Sequence, residues 1–226
     1  MSRQGSRISP VAEAVAALRP RSAVLRDMRV ALDYGDPARE AEHLSRLALC
    51  DASLFPRIGV IGKAASDWLA GMGVSVPGAI HETLALEPDG LCQRLGRHEF
   101  VIEDGLEGTM VERLARALGT GSDAVYPIEH QDAQLWLSGE RAPEVLAQTC
   151  GYDFRTPGDA LVFTRIAGVS CSVLHQAHVD APHFRLWLDP TYAEYLWETL
   201  LEIVREMGGG PAGLANFHPR VDDKAE

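Results

Sequence analysis

Two stretches of this chain carry one pattern. RIGVIGKAASDWLA (57–70) and AQLWLSGERAPEVLA (133–147) each read as a short apolar strand, a glycine and an amphipathic helix. With Gly62 set on Gly139, Ile58 meets Leu135, Val60 meets Leu137, Ala65 meets Ala142 and Leu69 meets Leu146. The glycine permits a tight turn, and the small alanine lets the helix lie close to the strand. Each copy continues alike. LCQRLG and HEFVIED (91–104) read as two strands before the helix GTMVERLARALG, while LVFTRIAG, VSCSVLHQ and HFRLWLD precede the helix PTYAEYLWETLLEIVREMG. Both halves therefore read strand–helix–strands–helix, and duplication of an α+β unit is the economical reading. The halves span about 45–120 and 124–208.

The flanks are simpler. Residues 1–44 read as an N-terminal extension. It holds a helix over Ser9–Arg19 with Ser9 as N-cap, then a strand in which Met28, Val30, Leu32 and Tyr34 alternate with polar or small residues. PAREAEHLSRLAL reads as a helix, and 209–226, rich in Gly and Pro, reads as a flexible tail. On the closing helix Tyr192, Tyr195, Leu196, Leu200, Ile203 and Val204 share one side, with Glu194, Glu198 and Glu202 opposite. Trp136 and Trp187 sit in strands flanked by leucines, so alternation turns them away from the leucine face. Together with Trp197 they are the expected anchors of a partner surface, with at least one substantially exposed.

Composition narrows the function classes. The chain carries 32 acidic against 21 basic residues, a net charge of −11, which supplies no basic face for a nucleic acid. Its apolar runs fall far short of the ~20 residues that span a bilayer. The N-terminus is basic but has no apolar core of a signal peptide, so no membrane is expected and the cytoplasm is the default location. Cys50, Cys92, Cys150 and Cys171 form no CxxC pair and read as buried thiols in a reducing compartment.

Catalytic motifs are sparse. The sequence contains no GxSxG elbow, Walker A loop or GxGxxG fingerprint. Ser170-Cys171-Ser172 lies in a strand, where Cys serves packing. HQAHVDAPH offers His175, His178, Asp180 and His183, ligand types suited to zinc or iron. Strand alternation sets His175 and His178 on opposite faces, and a solvated polar turn explains the cluster better than a metal. Glu103, Asp104 and Glu107 read as acids at a helix N-terminus, and Asp51 and Asp153 as single carboxylates. No catalytic residue and no metal site is assigned, and cofactor-binding residues stay unassigned.

CDASLFPRIGVIGKAASDWLAGMG resembles the opening strand–helix of the glycine-cleavage T-protein superfamily, in which an aspartate-x-serine segment leads into a strand that ends in Gly. IEHQDAQLWLSGERAPEVLAQTCGYDFRTPGDALVFTRIAGVSCSVLHQ, closed by FRLWLDPTYAEYLWETL, looks more like the gamma subunit of heterotetrameric sarcosine oxidase. The resemblance covers about residues 45–208. It implies a T-protein-like α+β fold without the C-terminal barrel that completes a full T-protein. It also implies an accessory role in a complex that oxidises an N-methyl amine or amino acid and passes the one-carbon unit to tetrahydrofolate. FAD, FMN, NAD and tetrahydrofolate are then expected in partner subunits, the large alpha and beta flavoproteins, alongside a small delta subunit, and none in this chain. The T-protein pattern has an aspartate facing folate after its first helix and a later Gly-Glu pair. The corresponding stretches here, HETLALEPDGLCQRLG and TRIAGVSCSVLHQ, give no clear match to either. Cys150-Gly151-Tyr152 only echoes the cysteine motif of the related tRNA-modifying folate protein. The alternative reading is a free-standing folate-dependent aminomethyl or methyl transferase.

Overall fold

The computed structural model describes residues 7–119, 121, 124–155, 158, 160–177, 182–218 and 221. In chain order the N-terminal segment forms α1 (Ala12–Ala17), the antiparallel hairpin β1 (Arg21–Leu25) and β2 (Met28–Asp33), α2 (Pro37–Arg46) and β3 (Ala48–Asp51). Then come β4 (Arg57–Ile61), α3 (Ala65–Gly71), β5 (Thr83–Leu86), β6 (Gly90–Gly96), β7 (Glu99–Glu103), α4 (Met110–Gly119) and β8 (Tyr126–Glu129). The remainder is β9 (Ala133–Ser138), α5 (Ala142–Thr149), β10 (Val162–Ile166), β11 (Val169–Ala177), β12 (Pro182–Leu188), α6 (Ala193–Glu206) and β13 (Gly210–Pro211).

The mixed α+β class is as expected, and among the described residues no sheet closes into a barrel. Two compact units emerge. One holds residues 55–131 and 159–162; the other holds 1–54, 132–158 and 163–226. The smaller unit runs β4-α3-β5-β6-β7-α4-β8, with sheet order β5-β6-β7-β4-β8. The larger runs β9-α5-β10-β11-β12-α6-β13, with sheet order β10-β11-β12-β9-β3-β13. The second sheet thus repeats the first, with β3 in the place of β8 and β13 added at the edge. All eight aligned residues, Ile58, Val60, Ala65 and Leu69 with Leu135, Leu137, Ala142 and Leu146, are buried.

The two turn glycines have matching surroundings. Gly62 (φ 140°) and Gly139 (φ 111°) both adopt the left-handed region. Each carbonyl accepts the N–H three residues on, Ala65 at 2.9 Å and Ala142 at 3.0 Å. A Cβ on Gly62 would strike the carbonyl of Ala124, just before β8; one on Gly139 would strike the carbonyl of Arg46, just before β3. The repeat therefore extends to which backbone each turn presses against.

Several expectations need correction. The helix read through Leu49 ends at Arg46, because Leu47, Ala48, Leu49 and Cys50 are buried and no polar side exists for an amphipathic helix. That run is instead the interior strand β3, apolar toward both faces. Strand β1 was not anticipated, since its turn places Arg26 and Asp27 at positive φ (47° and 61°) without the usual Gly or Asn. The first helix starts at Ala12, not Ser9; Ser9 accepts the Val11 N–H at 3.2 Å and donates to Asp51 at 2.6 Å.

Residues 7–44 and 45–54 both fall in the unit that holds the second repeat. Residues 209–218 are not a loose tail. Strand β13 pairs in parallel with β3, and Phe217 packs edge-on against Trp136 with ring centroids 5.1 Å apart. Tyr192 and Tyr195, expected on the packed side of α6, are exposed. Leu196, Trp197, Leu200, Leu201 and Val204 form that face. The stripe lies one residue further round than periodicity alone placed it.

Candidate functional site

Each sheet has an apolar face and a polar one. In the smaller unit, Ile58, Val60, Cys92, Phe100 and Ile102 pack with Leu69 of α3 and with Leu114 and Leu118 of α4. Strand alternation turns Arg57, Gly59, Gln93 and Glu103 the other way. These are buried too. Arg57 and Glu103 form an ion pair at 3.4 Å with both side chains nearly inaccessible, and Gln93 is buried beside Val101 in the ladder. Gly59 leaves room for the His130 ring, which a Cβ there would meet at 2.8 Å.

The larger unit repeats the arrangement with different residues. Gln134, Trp136 and Ser138 of β9 oppose Trp187, Arg185 and His183 of β12. The Trp136 indole is the hub. Arg185 lies over it at 5.2 Å, His183 meets it edge-on at 5.2 Å, and Phe217 and His218 close its other sides. His183 Nδ1 and Ser138 Oγ share a hydrogen bond of 2.6 Å. At the mouth of β3, the Asp51 carboxylate accepts Ser9 Oγ–H (2.6 Å) and the Ser53 N–H (3.0 Å). Burial raises its pKa, and the hydrogen bonds from Ser9 and Ser53 oppose that rise. Ser53 Oγ in turn accepts the Gln134 N–H at 3.1 Å. The aspartate-x-serine segment is a structural clasp between the N-terminus, β3 and β9.

The other candidates resolve in the same way. Asp104 caps α4, accepting the N–H groups of Met110 and Val111 at 3.0 Å each, while Glu107 is exposed. Asp153 pairs with Arg155 at 2.8 Å, which holds its carboxyl at about 2. His175 pairs across the ladder with Phe184 and stacks on its ring at 4.3 Å; His183 pairs with Gln176. The two imidazoles therefore lie on opposite faces of the sheet and cannot share one ion. His178 and Asp180 lie outside the described residues. Of the acids between 81 and 96, Glu82 accepts the Ala79 N–H, Asp89 accepts the Leu106 N–H, and Glu87 is exposed. An amide, Gln93, occupies the polar face of β6.

Burial pushes the thiols of Cys92 and Cys171 up to about 12, and that of Cys50 well above its ordinary value. They stay protonated at neutral pH and are poor nucleophiles. Titration of the native chain with a thiol-reactive disulfide near pH 8 should modify Cys150 alone quickly; fast reaction of a second thiol would contradict the burial.

All three anchor tryptophans are inaccessible: Trp136 is 2% exposed, Trp187 3% and Trp197 0%. The expected exposed anchor does not exist. Alternation placed Trp136 and Trp187 correctly, but the chain's own C-terminal segment covers Trp136. Iodide should quench only the half-buried Trp68, leaving most of the fluorescence protected.

No protein-family profile matches the chain. Among curated proteins it is 29% identical over 100 residues to an aminomethyltransferase of Thermoanaerobacter sp. (strain X514), covering 40% of this chain and 26% of that protein. It is 30% identical over 90 residues to that of Thermoanaerobacter pseudethanolicus, covering 38% and 24%. The match thus spans about a quarter of either relative. Among solved structures, the glycine cleavage system aminomethyltransferase T from Bartonella henselae superposes with a TM-score of 0.74 at 18% identity, over 94% of this chain and 61% of that one. Heterotetrameric sarcosine oxidase from Corynebacterium sp. U-96 gives 0.66 at 18% identity, over 90% of this chain and 97% of the matched chain. The fold is that of the T-protein. No helix among the described residues is long and apolar enough to cross a membrane.

Proposed function

We propose that this chain is a gamma-type, non-catalytic subunit of a sarcosine-oxidase-like complex that oxidatively demethylates an N-methyl amine or amino acid. The observation that supports this is coverage. The chain matches a component of a heterotetrameric sarcosine oxidase over 97% of that component, against 61% of the aminomethyltransferase. The roles of the polar residues agree with a supporting part: Asp104 and Asp89 satisfy backbone N–H groups, Asp51 holds a clasp and Glu103 holds an ion pair. In this reading the flavins, NAD and tetrahydrofolate are bound by larger alpha and beta subunits, with a small delta subunit completing the complex. This chain then contributes contacts.

Recovery of the tagged chain from its native host tests the proposal. The expected result is stoichiometric flavoprotein partners whose bound flavin is bleached anaerobically by an N-methyl amino acid. A chain recovered alone that binds tetrahydrofolate in a calorimetric titration would instead establish the free-standing transferase.

A further inference from the structure

We propose that the larger unit carries a small-oxyanion site in the cleft formed by the end of β2, helix α2, helix α6 and the Gly209–Pro211 strap. The cleft encloses about 230 Å³ and is lined by Tyr34, Arg39, Glu40, His43, Arg205 and the strap. At ~30 Å³ per liquid water this holds roughly eight waters, below the range of drug-sized pockets and suited to a phosphate or a short carboxylate.

The case rests on which polar groups are already engaged. Glu40 is buried with both carboxylate oxygens engaged: Oε1 accepts the Tyr34 N–H at 2.6 Å, and Oε2 accepts the Gly213 N–H at 2.9 Å and Asn216 Nδ2 at 2.8 Å. Asp36 Oδ1 accepts the Arg39 N–H at 3.0 Å, leaving one carboxylate oxygen at the rim. The strap N–H groups of Gly209 and Gly210 donate to the carbonyls of Val204 and Leu47. The donors are in the opposite condition. Among the described residues no hydrogen bond or ion pair engages the Tyr34 hydroxyl or the guanidinium of Arg39 or Arg205, and the buried His43 Nδ1 is without a partner. A buried imidazole nitrogen left in that state carries a desolvation penalty, which a ligand can relieve.

The donors also keep the required protonation. Burial, then the neighbouring Cys50, Asp51 and Glu40, raise the Tyr34 phenol, so it stays a neutral O–H donor; Arg205 acts on the same hydroxyl in the opposite direction. Arg39 and Arg205 are permanently charged. His43 offers its unpartnered Nδ1 as a hydrogen-bonding nitrogen beside the strap. Space for the ring comes from Gly210, where a Cβ would sit 2.3 Å from His43 Cε1 and 2.6 Å from Nδ1. A phenol, an imidazole and two guanidiniums thus converge on one cleft whose carboxylates are mostly occupied.

Inorganic phosphate and acetate, titrated separately into the full chain at low ionic strength, test the site by proton NMR of the His43 Cε1–H resonance, assigned with His43→Gln. Saturable shifts at low-millimolar ligand are expected, and Arg205→Gln, on the exposed side of α6, should weaken binding about tenfold. Arg39→Gln should weaken it as well. Preference for phosphate or acetate identifies a phosphoryl or a carboxylate ligand. No saturable shift with either anion up to ~10 mM, or unchanged affinity in Arg205→Gln with the fold intact by circular dichroism, overturns the proposal.

Discussion

Gly139→Val is expected to abolish stable folding of the larger unit. The substitution forces a β-branched residue into φ 111°, and its Cβ would lie 2.4 Å from the Arg46 carbonyl carbon and 2.6 Å from the Leu47 nitrogen. Both obstacles are backbone, and Arg46–Leu47 leads directly into β3, an interior strand of the six-stranded sheet. Relief would require moving β3 away from β9. Strain at a left-handed position together with a steric clash places the loss above ~4 kcal/mol, comparable to a small domain's whole stability. Gly62→Val should do the same to the smaller unit, where the Cβ would lie 2.0 Å from the Ala124 carbonyl oxygen. Urea unfolding followed by circular dichroism reads both. A Gly139→Val chain with a wild-type midpoint would mean that the turn is not packed as described. Glu198→Ala, on the exposed side of α6, is the control, and its midpoint should stay within about 0.5 kcal/mol of wild type.

Glu40→Ala should release the C-terminal segment. One buried carboxylate receives the N–H of Tyr34, the N–H of Gly213 and the amide of Asn216, joining the end of β2 to a strap more than 170 positions away. Removing it leaves two backbone donors without a partner, and hydrogen bonds to a charged group are worth about 1.5–3 kcal/mol each. A net loss of about 3 kcal/mol is expected. Hydrogen exchange gives the sharper readout. The amide of Gly213 should lose protection by orders of magnitude, while amides of β6 and β7 in the other unit change little. Equal loss of protection in both units would mean that Glu40 acts on global stability and does not serve as a local clasp.

The repeat was legible because both copies follow local rules. Alternating apolar residues in β4 and β9, a glycine at the turn and an alanine facing the strand are neighbours in sequence, and each reports its own element. The ends of the repeat were not legible. Strand β3 belongs beside β9 through non-local ladder contacts, and nothing in LALC marks it as strand and not helix until its partners are known. Likewise Gly209–Pro211 has the composition of a tail, and only pairing with β3 orders it. The structural roles of Asp104 and Ser170-Cys171-Ser172 could be read early, since a helix N-cap and an apolar strand are local features. The oxyanion cleft could not, because Tyr34, His43 and Arg205 are unremarkable singly and share no spacing.

The sequence by itself determined the periodicities: where strands alternate, where helices turn one apolar side inward, and that one α+β unit occurs twice. It also set the side chains of the polar faces, since a period of two obliges Trp136, Gln134 and Arg57 to oppose their apolar neighbours. The tertiary structure alone decided what covers those faces and which polar atoms are satisfied. Trp136 is buried because Phe217 and His218 return to it, and Glu40 is a clasp because Gly213 and Asn216 do. The physical reason is range: backbone propensity and alternation act over a few residues, whereas burial and hydrogen-bond satisfaction depend on segments that meet only once the chain has folded.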